Sequence, residues 1–140
     1  ATPWAYKTYR QQFSHTYLPL DDTASLEERR ARVHSDNMLK AIGSQDFAAI
    51  GTHLHNDLEK VVLPAHAKVT ELKSLMAAAA KENNGLGTMM SGSGPTVFSL
   101  TETVDQAEAV KKWVRSQLPN PDLQLHVAPF TSHGIITKTQ

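Results

Sequence analysis

Between residues 87 and 100 the chain reads Gly-Thr-Met-Met-Ser-Gly-Ser-Gly-Pro-Thr-Val-Phe-Ser-Leu, and Ser91, Gly92, Ser93 and Gly94 at its centre are the residues best suited to chemistry. Glycine and serine let backbone N–H groups approach an anion without bulky side chains in the way, which points to phosphate. The β-branched and aromatic residues that follow, from Thr96 to Leu100, lead the loop into a strand and not a helix. Nucleotide-loop readings are weak for that reason. Gly92-x-Gly94 also lacks the third glycine of a dinucleotide fingerprint and any following Gly-Lys-Ser/Thr. The plain alternative is a tight strand-to-strand turn, although a two-residue hairpin needs far fewer small residues.

Other constellations carry less chemistry. His53 and His55 form His-x-His, with His66 farther along, but on a helix residues i and i+2 project about 200° apart and cannot share one ion. No metal site is expected. Ser91, Ser93, His133 and Asp57 make a hydrolase triad only on paper, because Gly92-Ser93-Gly94 lacks the spacing of a nucleophile elbow. Arg29, Arg30 and Arg32 sit among Glu27, Glu28 and Asp36, which reads as a charged helix face. Lys7 and Arg10 could reach a phosphate, yet exposed basic residues are normally just solvated.

The elements that must position the loop read as helices first and strands later. Thr2 and Pro3 open a helix on which Tyr6, Tyr9 and Phe13 recur at helical spacing. Residues 25–28, Ser-Leu-Glu-Glu, have capping-box form after a short polar stretch at 19–25. Asp46 caps an expected long helix whose Phe47, Ile50, Leu54, Leu58 and Val61 fall on one stripe until Pro64 breaks it. Val69, Leu72, Met76 and Ala79 form the next stripe, which stops at Asn83-Asn84-Gly85. After the strand, loop, strand unit, Thr103 and Gln106 make a second capping box before Ala107, Val110, Val114 and Leu118. Leu123, Leu125 and Val127 then alternate with polar or small residues, as a strand exposed on one side would. This order predicts an α+β fold, with helices packed on one face of a small antiparallel sheet. The pattern equally allows a regulatory ligand-binding α/β sandwich.

The chain has 140 residues, enough for one domain with a real core. Its 14 basic and 14 acidic residues cancel, which removes any global electrostatic argument for nucleic acid or an anionic membrane. Without cysteine there is no disulfide framework or thiolate metal site. The apolar run from Met76 to Ala80 is far too short to cross a bilayer, and the first residues hold no secretory core.

Residues Gly87-x-x-Met90-Ser91-Gly92-Ser93-Gly94-Pro95-Thr96-Val97-Phe98 resemble the third signature of the GHMP small-molecule kinases, which include galactokinase and the homoserine and mevalonate kinases. Within that group the likeness is to the branch that acts on a diphosphocytidyl alcohol in non-mevalonate isoprenoid synthesis, in its cyanobacterial form. Thr2-Pro3-Trp4-Ala5-Tyr6, His55-Asn56-Asp57-Leu58-Glu59 and Ser132-His133-Gly134-Ile135 agree with it. The likeness covers nearly the whole chain but only the second half of such an enzyme, since the family's first two signatures are absent. It implies a single ferredoxin-like C-terminal domain over residues 1–140, with the N-terminal ATP-binding domain missing. It further implies that Ser91, Gly92, Ser93 and Gly94 shape the pocket for the acceptor end of the substrate, and that Tyr6 stacks on its cytosine ring, with Tyr9 and Phe13 structural. By the same resemblance, ATP and magnesium are held mainly by the missing half, and no catalytic residue lies in this one. The partners are a small-molecule substrate and the missing kinase domain, with neither nucleic acid nor membrane. The expected location is the cytoplasm, or the plastid stroma in a plant or alga, and the isolated chain should be inactive. The alternatives are a non-catalytic module binding a small anion, or part of another GHMP kinase such as homoserine kinase.

Overall fold

The computed structural model of the chain describes residues 2–17, 28 and 35–132. Residues 25–27 of the expected capping box, the polar stretch at 19–25, the cluster of Arg29, Arg30 and Arg32, and His133 to Ile135 of the tail signature lie outside them. Helix α1 spans Thr2–Phe13 and runs into a 3₁₀ turn at Ser14–Thr16. Pro3 costs it nothing, because the first-turn N–H groups have no intrahelical partner anyway. Helix α2 covers Ser35–Gly43, and Gln45, at φ +56°, turns the chain toward α3. Asp46 caps α3, Phe47–Thr52, through a hydrogen bond from the Ala49 N–H at 2.9 Å.

Here the single long helix expected from Asp46 to Pro64 is corrected. Helix α3 stops at Thr52, residues 53–58 form a turn, and α4 occupies Glu59–Ala65. The stripe is not one face: Phe47 is exposed, whereas Leu58, Val61 and Val62 are buried. Two long-range demands outweigh the local periodicity. Gly51 packs directly against the backbone of Leu86, and Asn56 is recruited to residues 90 and 92. Pro64 lies inside the last turn of α4, one residue before the helix ends at Ala65, close to the break expected there. Helix α5, Ala67–Glu82, ends as expected at Asn83. Asn84 takes φ +56°, and the Gly85 N–H closes back on the Ala80 carbonyl at 2.7 Å.

Strands β1, Gly87–Met90, and β2, Val97–Leu100, pair antiparallel, with Gly87 opposite Leu100 and Met90 opposite Val97. Thr88 and Ser99 add a cross-strand hydroxyl pair at 2.7 Å. Helix α6, Val104–Gln117, starts on the expected capping box, with Thr103 and Gln106 satisfying each other's backbone N–H groups. The fold is therefore α+β. Helix α5 touches both strands and α6.

Residues 123–130 are extended in sequence character but form no strand, which corrects the third strand expected at Leu123, Leu125 and Val127. Among the described residues no backbone hydrogen bond joins them to β2. They are held by side chains instead. Leu123 and Leu125 pack beside Val110 and Val114, and the Arg115 guanidinium donates to the carbonyls of Asn120 and Leu123. Burial organises the molecule into two apolar clusters. One joins Ala5, Leu58, Val61, Val62 and Met90, the other Met76, Ala79, Ala80, Val110 and Val114, and Val97 packs against both.

Backbones approach each other closely where α3 meets β1. A Cβ on Gly51 would sit 2.0 Å from the Leu86 carbonyl oxygen, and one on Gly87 would sit 2.4 Å from the Gly51 oxygen. Gly51→Ala is expected to lower the free energy of unfolding by about 2–3 kcal/mol, as overpacked cores do. Gly43→Ala, with nothing within 4 Å of the added methyl, should be neutral or stabilising by up to about 1 kcal/mol. Urea denaturation of the two variants checks the contrast.

Candidate functional site

The loop between the strands uses half of its amides on itself. The Ser91 N–H bonds the Thr96 carbonyl at 2.8 Å, and the Gly94 N–H bonds the Ser91 carbonyl at 2.9 Å. That second bond closes a four-residue turn with Gly92 at its first central position and φ +53°, the pattern of a type II′ turn. Among the described residues, the Gly92 and Ser93 amides have no backbone partner. Of the four residues singled out as an anion cradle, these two offer their N–H groups; Ser91 and Gly94 shape the turn.

The two glycines also differ in what they tolerate. Gly94 has φ +70°, and a Cβ there would lie 2.8 Å from the Met90 sulfur and 3.7 Å from Val62, so its smallness serves the core. Gly92 faces open space, with nothing within 4 Å of a Cβ. Only at Gly92 would an added side chain crowd a ligand without striking the protein.

The loop is fixed from below by the turn that interrupts the expected long helix. The Asn56 side-chain amide donates to the carbonyls of Met90, at 2.7 Å, and Gly92, at 2.8 Å, while its oxygen accepts the Leu58 N–H at 3.0 Å. Glu59 accepts the Met90 N–H at 2.7 Å and pairs through its other oxygen with Lys73 at 2.5 Å. Strand end and loop are thus held by both backbone polarities: a donor holds the carbonyls and a carboxylate holds the amide. Read from sequence, Asn56 and Glu59 only carry part of the His55 to Glu59 likeness, with no contact to the loop assigned to either. The available signal was a polar pair placed in mid-stripe, where continuous apolar residues would serve a helix better.

Helix α1 meets the loop at its first residue. The Thr2 and Ser93 hydroxyls are 2.7 Å apart. Tyr6 lies four residues along α1, on the same helical face as Thr2 and one turn away. It is 57% exposed, so it is not the first member of a core stripe; Ala5, at 1%, takes that place, and Tyr9 and Phe13 pack on the core beside it. The structure therefore brings Tyr6, Ser93 and Gly92 to one side of the molecule with the aromatic ring free. Trp4 instead meets His66 edge-on at 5.4 Å.

The histidines and acids nearby form a structural cluster. His53 and His55 fall in the turn after α3, so the helical-face argument does not apply to them. His55 lies 3.1 Å from Asp57. The Lys60 ammonium bonds Asp57 at 2.7 Å and lies over the rings of Tyr9 and Phe13, so it ties α4 to α1. The hydrogen bond from Lys60 is the main reason that the Asp57 carboxyl falls from 3.8 to about 2, and the same bond raises Lys60. Among the described residues no group of three or more His, Asp or Glu side chains converges to hold a metal. His133, the base of the paper triad, lies outside them. No described helix is long and apolar enough to cross a membrane.

Residues 38–120 match the sequence profile described as GHMP kinases C terminal. The chain is 49% identical over 135 residues to the 4-diphosphocytidyl-2-C-methyl-D-erythritol kinase of Trichodesmium erythraeum, covering 96% of this chain and 41% of that protein. The enzyme of the same name from a Nostoc species is 50% identical, and that from a Synechocystis species 44%, each with 96% of this chain and 41% of the relative covered. The chain thus spans about 41% of the length of the curated relatives it matches. No solved structure matches it.

Two outcomes are expected at the anchor. Asn56→Ala leaves the Met90 and Gly92 carbonyls without their donor and should destabilise the fold by about 1–3 kcal/mol in urea denaturation. The depressed Asp57 carboxyl adds stability that is fully present above its ordinary value of 3.8 and is lost as pH falls through about 2. Asp57→Asn should therefore flatten the acid limb of the stability curve between those values. The pair is well exposed, so the effect should stay below about 1 kcal/mol.

Proposed function

The chain belongs to the GHMP kinase family, and we propose that it is the substrate-side, C-terminal portion of a longer enzyme. That enzyme transfers a phosphoryl group from ATP to the 2-hydroxyl of 4-diphosphocytidyl-2-C-methyl-D-erythritol. The observation that carries this reading is the Thr2 to Ser93 contact. It sets an exposed aromatic, Tyr6, on the same side as a loop whose Gly92 and Ser93 amides are open. A flat ring suits the cytosine base, and two amides suit an oxygen at the acceptor end.

Phosphoryl transfer is catalysed chiefly by positioning and by stabilising spread negative charge. In this reading Tyr6 fixes the nucleobase, the Gly92 and Ser93 N–H groups meet the end that carries the reacting hydroxyl, and Asn56 and Glu59 keep the loop rigid while it does so. In the same reading, ATP, its magnesium and the group that orients the hydroxyl belong to the N-terminal part, which is also the chain's principal partner. A metabolic enzyme of this kind is placed in the cytoplasm, or in the stroma of a plastid.

In the longer enzyme, Tyr6→Ala should weaken the cytidine-containing substrate by about 1–3 kcal/mol, the worth of a base stacked on an aromatic ring, and leave the KM for ATP unchanged. Tyr6→Phe should largely restore binding. Equal loss for both substrates, or none for either, would remove Tyr6 from the site. The 140-residue chain alone, incubated with substrate, ATP and magnesium, should give no phosphorylated product by mass spectrometry, because well-oriented placement supplies about 7–11 kcal/mol that half a cleft cannot provide. Turnover approaching that of the longer enzyme would overturn the assignment of parts.

A further inference from the structure

The turn that fastens the loop carries two carboxylates, Asp57 and Glu59, although the loop itself is read as a seat for negative charge. Each acid has its own lysine. Asp57 pairs with Lys60 where the two side chains are 44% and 41% exposed, so solvent and salt screen that charge. Glu59 differs. Its side chain is 18% exposed and that of Lys73 25%, which makes theirs the least exposed ion pair among the described residues. One Glu59 oxygen takes the Met90 N–H at 2.7 Å, and the other meets the Lys73 ammonium at 2.5 Å. Met90 ends β1, so the Gly92 amide is at most about 7 Å farther along an extended backbone. The carboxylate is therefore within about 10 Å of the open amides, close to the Debye length in dilute salt, and partly buried charges are screened less than exposed ones.

Glu59 supplies an accepting oxygen to Met90, but with it comes a full negative charge beneath the loop. A neutral acceptor would hold the same N–H. The charge opposes an anion at the loop unless something cancels it, and Lys73, fourteen residues away on α5, is placed to do so. We infer that Lys73 is a positioning residue for the phosphoryl transfer: it neutralises Glu59, so that the carboxylate holds the end of β1 without repelling the negative charge that gathers at the Gly92 and Ser93 amides. It acts through Glu59 and not on the substrate. The inference rests on the reading of the loop as the seat of the acceptor end, where the transferred phosphoryl group arrives. A plain structural brace would suffer from any change to the pair, whereas charge balance gives the two partners opposite signs.

Steady-state kinetics of the longer enzyme with the diphosphocytidyl substrate test it. Lys73→Met keeps the reach of the side chain but strips its charge, and should lower kcat about three- to tenfold, with a greater loss at low ionic strength and an unchanged KM for ATP. Glu59→Gln keeps an oxygen for the Met90 N–H and should raise kcat about two- to threefold. The two changes together should return kcat to within about twofold of the parent. A fall or no change in Glu59→Gln overturns the inference, as does a Lys73→Met loss that salt does not alter or that Glu59→Gln does not rescue. Removing the partner of a partly buried charge also destabilises. If Lys73→Met does not fold, Glu59→Gln and the double variant decide: a rise in the first with recovery in the second supports the inference, and anything else sinks it. Gly92→Ala separates this inference from the reading beneath it. Parental kcat and substrate KM there would remove the loop from the site and the inference with it; a loss there beside an unaffected Lys73→Met would overturn the inference alone.

Discussion

The structure around the loop depends on one turn of backbone, residues 56–59, being fastened to the end of β1. Asn56 gives both of its amide hydrogens to carbonyls thirty-four and thirty-six residues away, those of Met90 and Gly92. Glu59 takes the Met90 N–H, and Lys73 balances its charge from α5. A buried or half-buried polar group without a partner costs about as much as a hydrogen bond is worth, so these groups satisfy one another or the site does not form. Met90, fully buried and held at both its N–H and its carbonyl, is where the apolar core and the polar anchor coincide.

That anchoring explains why so open a loop is ordered. Glycine-rich segments lose the most conformational entropy on folding, and Gly92 and Gly94 both take positive φ angles. The loss is offset by contacts outside the loop: Asn56 beneath it, the Met90 side chain packed against Gly94, and the Thr2 hydroxyl at Ser93. The division of labour among four small residues follows. Two amides close the turn, and the other two have no backbone partner among the described residues. Lys60, clasped by Asp57 and lying over Tyr9 and Phe13, keeps α1 in register with α4, and thereby keeps Tyr6 on the same side as the loop.

Away from the loop the same hairpin is less complete. Two short strands rarely stand alone in water, and here they are supported by α5 beneath and by Val97, which reaches into both apolar clusters. Residues 123–130 lie alongside without joining them. The hairpin is thus finished on its β1 side, where Gly51 and Gly87 allow backbone-to-backbone approach, and open on its β2 side, where a cavity takes the place of a neighbouring strand.

Much of this was legible in the sequence because it depends on near neighbours. The capping box at Thr103 and Gln106, the Asp46 cap, the stop at Asn83 to Gly85 and the strand, loop, strand unit around Ser91 are all set by residues within a few positions of one another, and all are found. The α+β class follows from their order, and the likeness of the loop to a GHMP kinase signature is itself a local pattern. What tertiary structure alone decided depends on groups far apart in the chain. The apolar stripe from Phe47 to Val61 favoured one helix, but a helix cannot deliver Asn56 to the carbonyls of residues 90 and 92 or seat Gly51 on Leu86, so it breaks. Leu123, Leu125 and Val127 alternate like a strand, yet a strand exists only through a hydrogen-bonding neighbour, and periodicity cannot supply one. Tyr6 fits the stripe of Tyr9 and Phe13 by spacing, but the smaller Ala5 is what the close approach of α1 to α4 admits. Spacing along the chain determines which faces are possible; which face is buried, and which ring is left free beside the loop, is determined by the partner that packs against it.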